Sequence, residues 1–181
     1  MSAPIFSDVT LCGRLLAELD TWIGTPWAHR AGVDGKQLAV KGEGGDCVTI
    51  ILTALYNVGA LEPLDLPAHA LAPGVLPEER VAHSITKFVR PFIEGGRLQQ
   101  LDGRTQPLLT GDLLTFRTRA ARDHHLGIFR GGANRNFYHA PGPGRRFMIS
   151  SLNEAGARFQ RAYRLMAVVG EAQGRALEAA R

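Results

Sequence analysis

The chain has 181 residues, 45% hydrophobic and 21% charged, a size and balance that suit one globular domain with a buried core. No apolar run reaches the ~20 residues of a bilayer crossing, and the opening "MSAPIFSDVTLCGRLLAELD" lacks the basic-then-apolar order of a standard secretory signal. The net charge is +4, and the basic residues, 21 in all with 3 lysines among them, are scattered without interleaved aromatics, so nucleic acid is not an expected partner.

In chain order, Leu11, Leu15, Leu16, Leu19, Trp22 and Ile23 recur at helical spacing and predict a helix over 8–23, with Ser7 or Asp8 as its cap and Gly24 and Pro26 ending it. Cys12 reads as a small, partly buried side chain of that helix. Residues 24–46 form a long loop with six glycines, a length that usually carries function. A buried helix follows over 47–59, with Val48, Ile51, Leu52, Leu55 and Val58 on its apolar face, Asp46 as N-cap and Gly59 as stop. Segment 61–77, with four prolines, reads as irregular, and a further helix is expected over 78–94, kinked or ended at Pro91. The second half is strand-like, with candidates at 112–117, 125–130, 136–140, 146–151 and 161–169. Helices first and strands second predict an α+β fold with a mostly antiparallel sheet. One domain is expected over 1–170, with an irregular insertion at about 61–107 and a C-terminal tail at 171–181.

The chemistry concentrates at "KGEGGDCVTIIL". A cysteine at the first turn of a helix is surrounded by unpaired N–H groups and the positive end of the helix dipole, which favour thiolate and can hold an oxyanion. Gly44 and Gly45 would let a substrate backbone approach. A thiolate nucleophile needs a base and an orienting partner. His125 in "HLGIF" and His139 in "FYHA" sit on strands joined by the short connection "GGANR", so adjacent antiparallel strands would set the imidazoles side by side. If the sheet packs against the helix start, the order is Cys47, His125, His139, with Gly127 leaving room for the sulfur or for substrate. The same three side chains also suit a zinc site, and plain packing is the alternative for Cys47.

"WIGTPWAHRAGVDGK", "GGDCVTIIL", "TGDLLTFR", "HHLGIF" and "FYHA" occur in the order in which the NlpC/P60 family of papain-like cysteine peptidases carries its opening loop, nucleophile motif, first barrel segment, base motif and third-residue strand. The chain resembles that family over roughly residues 8–168, and is most similar to its phage-type cell-wall peptidase branch. The resemblance implies N-terminal helices packed on a small antiparallel sheet or barrel. It implies Cys47 as nucleophile, His125 as general base and His139 as its orienting partner, with His124 as the rival base. Trp27 stands where many members have a tyrosine that supports the oxyanion, and His29 near a histidine of the phage-type branch with a substrate-binding or loop-bracing role. Asp46 is retained as a candidate for binding a substrate ammonium. Val48 replaces a serine that, in the family, helps hold the free amine of a stem peptide.

The expected function is therefore hydrolysis of an amide bond in peptidoglycan stem peptides or cross-links, with no metal or organic cofactor. The alternatives are the same fold working as a deamidase, acyltransferase or thioesterase, which Val48 keeps open, and a non-catalytic component of a phage tail or phage-like particle. Expected partners are the peptidoglycan peptide and proteins of a phage tail or secretion apparatus. Synthesis in the cytoplasm is expected, with a virion or a delivery apparatus carrying the protein to the periplasm or cell wall.

Overall fold

The computed structural model describes residues 3–28, 39–61, 89, 92–102, 106–117, 123–155 and 158–167, and of Asp123 and His124 the backbone alone. The irregular stretch 62–77, most of the helix expected over 78–94 and the tail 171–181 lie outside the described residues; Val89 and Phe92–Glu94 are helical.

A single 3-10 turn, Ile5–Ser7, leads into α1, Val9–Asp20. The Asp8 carboxylate caps α1 by accepting from the N–H of Thr10 at 2.8 Å and of Leu11 at 3.1 Å. Leu11, Leu15 and Leu19 fall on one face and are buried. Trp22 is buried as expected, but Ile23 is 47% exposed. The helix has ended before it, and the chain turns at Gly24 with φ +88°, so Ile23 leaves the helical register.

Helix α2, Thr49–Asn57, is the centre of the main core, with every residue from Thr49 to Leu55 buried. A helix enclosed on all sides needs no polar face, which is why its apolar residues are nearly continuous. Gly59, at φ +73°, ends it in the left-handed conformation.

The strands form one antiparallel sheet: β1 Leu98–Leu101, β2 Leu113–Arg117, β3 Asp123–Gly131, β4 Asn136–His139, β5 Met148–Ser151 and β6 Phe159–Leu165, in the spatial order β1-β6-β2-β3-β4-β5. A short helix, α3 Leu152–Ala155, follows β5. β1 falls inside the stretch expected to be irregular. Its sequence, LQQL, has no β-branched or aromatic residue, and pairing with β6 (Leu98 opposite Leu165, Leu101 opposite Ala162) is what makes it a strand.

Both faces of the sheet are buried. Leu113, Leu126, Ile128, Tyr138 and Tyr163 pack with α1 and α2 in the main core. Leu114, Phe116, Phe129, Phe137 and Ala162 point the other way, into a second cluster closed by Leu101 and Leu152. Between the helices, Glu18 accepts from Trp22 Nε1 at 2.9 Å, Asn57 Nδ2 at 2.8 Å and Lys41 Nζ at 3.0 Å, tying α1, the end of α2 and the loop before α2 to one carboxylate.

Candidate active site

Cys47 lies at the threshold of α2. Asp46 accepts through Oδ1 from the N–H of Val48 at 3.0 Å and of Thr49 at 2.8 Å, and the Thr49 hydroxyl oxygen accepts from the Asp46 N–H at 2.9 Å. This reciprocal pair is a capping box with Thr49 in the place of the usual acid or amide. It pins the turn that presents Cys47. It also occupies two N–H groups of that turn, so the N–H of Cys47 itself is the one of the three that the Asp46 carboxylate does not engage.

The sulfur is set against β3: the backbone N–H groups of Leu126, Cys47 and Val48 all bond toward it. They do not prevail. Burial, and next the adjacent Asp46 carboxylate, push the thiol up to about 12. The expectation of a thiolate held by the helix start is thus corrected: at neutral pH the resting group is a thiol, because desolvation outweighs the N–H dipoles. The residue as a whole keeps partial exposure although its sulfur is enclosed.

The imidazoles are joined as the hairpin geometry requires. Gly127 pairs with His139 across β3 and β4, which puts His125 on the diagonal and on the same face. His125 Nε2 and His139 Nδ1 are 2.8 Å apart, and the rings meet edge to face with centroids separated by 5.0 Å. His125 is 8% exposed. Phe116 lies 5.8 Å from the His125 ring and Phe137 lies 4.8 Å from the His139 ring. Burial lowers His139 to about 4, so it is neutral at pH 7. His139 Nε2 is in turn 2.8 Å from Ser150 Oγ on β5. Sequence reasoning missed Ser150, although the predicted strand 146–151 beside "FYHA" was a signal that a side chain of β5 would reach His139.

The two faces of the sheet divide the site. His125 and His139 belong to the face of the phenylalanine cluster, while the helices pack on the Leu126 face. Cys47 meets β3 through the Leu126 N–H, one residue from His125.

The glycines have a different use from the expected one. A Cβ on Gly127 would come within 2.8 Å of Phe137 Cδ2, 3.1 Å of the Tyr138 carbonyl oxygen and 3.2 Å of Phe116 Cε2, so the space beside His125 holds the stacked phenylalanines, not sulfur or substrate. On Gly44 it would meet Ala28 Cβ at 2.5 Å, and on Gly45 Ile50 Cγ1 at 2.6 Å. These two glycines seat the loop against its own chain rather than opening it to a ligand.

Trp27 is brought beside this loop by a parallel bridge to Gly45: Ala28 N–H donates to Gly45 O at 3.1 Å and Gly45 N–H to Pro26 O at 3.2 Å. His29 and the side chain of His124 lie outside the described residues. Among the described residues no three His, Cys, Asp or Glu side chains are grouped as metal ligands.

By sequence, the chain matches no family model and no curated protein. By structure it is similar to an N-acetylmuramoyl-L-alanine amidase of Bacteroides uniformis, with TM-score 0.58, 16% identity, and coverage of 88% of this chain and 100% of that one. It is likewise similar to an NLP/P60-family protein of Staphylococcus aureus described as similar to lipoprotein, with TM-score 0.56, 16% identity and 93% of this chain covered. An NlpC/P60-family protein of Bacillus cereus aligns with TM-score 0.51, 19% identity and 83% of this chain covered. The fold is that of the NlpC/P60 proteins. The chain spans 45% of the length of the S. aureus protein and 39% of the B. cereus one. Within the NlpC/P60 fold the α+β arrangement is as expected, with α1 and α2 on one face of an antiparallel sheet.

Proposed function

We propose that the protein is a cysteine hydrolase that cleaves an amide bond in peptidoglycan stem peptides or cross-links, with Cys47 as nucleophile, His125 as general base and His139 as its orienting partner. The observation that carries this reading is the His125–His139 bond at 2.8 Å on the strand whose next N–H, that of Leu126, meets the Cys47 sulfur. The NlpC/P60 fold, shared with a protein named as an N-acetylmuramoyl-L-alanine amidase, supports the substrate class.

Because the resting thiol is held near 12, the proton leaves as the sulfur attacks. It passes from Sγ to His125 Nδ1 while a C–S bond forms at the amide carbonyl carbon. The oxyanion is received by the N–H of Cys47, with the Trp27 indole N–H as a second donor. Collapse breaks the C–N bond, and the amine leaves with the proton from His125. Water, deprotonated by His125, then attacks the thioester, releasing the carboxyl product and restoring the thiol. Asp46, already committed to the cap through Oδ1, also contacts a substrate ammonium. Val48 offers no hydrogen-bond acceptor there, and this favours as second reading an acyl substrate without a free amine, handled by the same thioester chemistry.

Purified sacculi digested with the protein test the proposal. The expected result is release of muropeptides by wild type, and none by Cys47→Ala or His125→Ala with unchanged far-UV circular dichroism. Absence of product from every wall chemotype overturns the peptidoglycan assignment. Muropeptide release by Cys47→Ala at the wild-type rate overturns the nucleophile.

A further inference from the structure

Each ring nitrogen of His139 is engaged, Nδ1 with His125 Nε2 and Nε2 with Ser150 Oγ, both at 2.8 Å. A neutral imidazole carries one N–H and one lone pair, so the direction of this chain of bonds is a single choice. When His125 takes the thiol proton it holds hydrogens on both nitrogens. Its Nε2–H must then be donated to a lone pair on His139 Nδ1. That requires the His139 hydrogen to be on Nε2, and this N–H needs an acceptor. The strands around it offer few. Phe137 covers one side of the ring, Gly127 stands opposite on β3, and the main chain of β4 is committed to its pairing with β3 and β5. Ser150 supplies the acceptor from the neighbouring strand.

We infer that Ser150 is a positioning residue: its hydroxyl accepts from His139 Nε2–H and so holds His139 in the tautomer that receives the proton-bearing Nε2 of His125. The inference rests on His125 being the base. A serine suits the task because its hydroxyl hydrogen rotates, and Ser150 is half-buried, so that hydrogen can turn toward solvent while the oxygen keeps its lone pair on His139. His139, held neutral by burial, does not compete with His125 for the proton. Among the described residues, His139 on β4 meets His125 at Nε2, and β2 presents Phe116.

The test pairs Ser150→Ala with Ser150→Thr, which keeps the hydroxyl. Nitrogen-15 spectra of histidine-labelled protein at pH 7 read the tautomers without any substrate. The expected result is His139 as the Nε2–H form in wild type and Ser150→Thr, and a mixture with the Nδ1–H form in Ser150→Ala. In muropeptide release, Ser150→Ala lowers kcat about tenfold, the order expected for one lost hydrogen bond in the transition state, with KM unchanged, and Ser150→Thr restores it. An Nδ1–H His139 in wild type overturns the inference, as does an unaltered tautomer in Ser150→Ala, or a Ser150→Thr variant as slow as Ser150→Ala. If wild type releases no product, the hydrolase reading fails, and the tautomer spectra still decide the role of Ser150.

Discussion

Gly127→Ala distinguishes the two uses that a glycine beside His125 can have. The residue is flanked by Phe116 and Phe137, stacked at 4.7 Å, and an added methyl would lie 2.8 Å from Phe137 Cδ2 and 3.1 Å from the Tyr138 carbonyl oxygen. Phe137 is 1% exposed and Phe116 is 3% exposed, so neither ring has solvent to move into, and the carbonyl is part of the β3–β4 ladder. Overpacking of this kind costs about 1–3 kcal/mol, offset by the roughly 0.4–1 kcal/mol that an alanine contributes by restricting the unfolded chain. The expected net is a loss of about 1–2 kcal/mol, or a fall in Tm of roughly 2–8 °C for a chain of this size. Since Phe116 touches the His125 ring and Phe137 the His139 ring, the same change weakens muropeptide release. Gly13→Ala in α1 is the control: nothing lies within 4 Å of its added methyl, and the helix gains about 0.5–1 kcal/mol. Thermal and urea denaturation measure both. A Gly127→Ala protein as stable as wild type, altered only in activity, refutes the packing account and returns the space to substrate.

Other outcomes follow from the charges. Asp46→Asn keeps an N-cap acceptor of similar rank but removes the second cause of the raised thiol, so Cys47 titrates below about 12 and is alkylated faster by iodoacetamide at pH 8 in a Cys12→Ser background; an unchanged rate sinks this account. Asp112 is 2% exposed and bound by Arg164 through Nε at 2.9 Å and Nη2 at 2.8 Å, so Arg164→Ala strands a buried carboxylate and costs about 3–5 kcal/mol in urea denaturation. A loss below about 1 kcal/mol would show the pair to be a surface contact in effect. For His139, burial sets about 4 in the folded protein against about 6.5 unfolded. The unfolded chain therefore binds more protons in that window, and stability present above pH 6.5 is lost as pH falls toward 4. The drop between pH 7 and pH 5 is roughly 2 kcal/mol. His139→Gln should lack this component, and an equal drop in that variant contradicts the assignment.

The local features of the site were written in the sequence. Asp46 before an apolar run is a cap by chemistry, Gly59 a stop, and histidines on strands flanking "GGANR" are neighbours by the period of a strand. Each depends on residues close in the chain: the cap bonds of Asp46, the turn at Gly59 and the pairing of the histidines are as expected, while the helix between them runs Thr49–Asn57 rather than over 47–59. Tertiary packing decided the rest. β1 exists because β6 pairs with it, not because LQQL favours a strand. Cys47 is a thiol because β3 and the core enclose the sulfur, and enclosure outweighs the local N–H dipoles that the sequence suggested would win. Ser150, remote from "HHLGIF", enters the site only because β5 lies against β4. Gly127 looks in sequence like an opening and is in space the seat of two phenylalanines. Short-range hydrogen bonding and periodicity could be read residue by residue, whereas burial and cross-strand neighbours are properties of which surfaces meet, and only the assembled sheet and helices determine those.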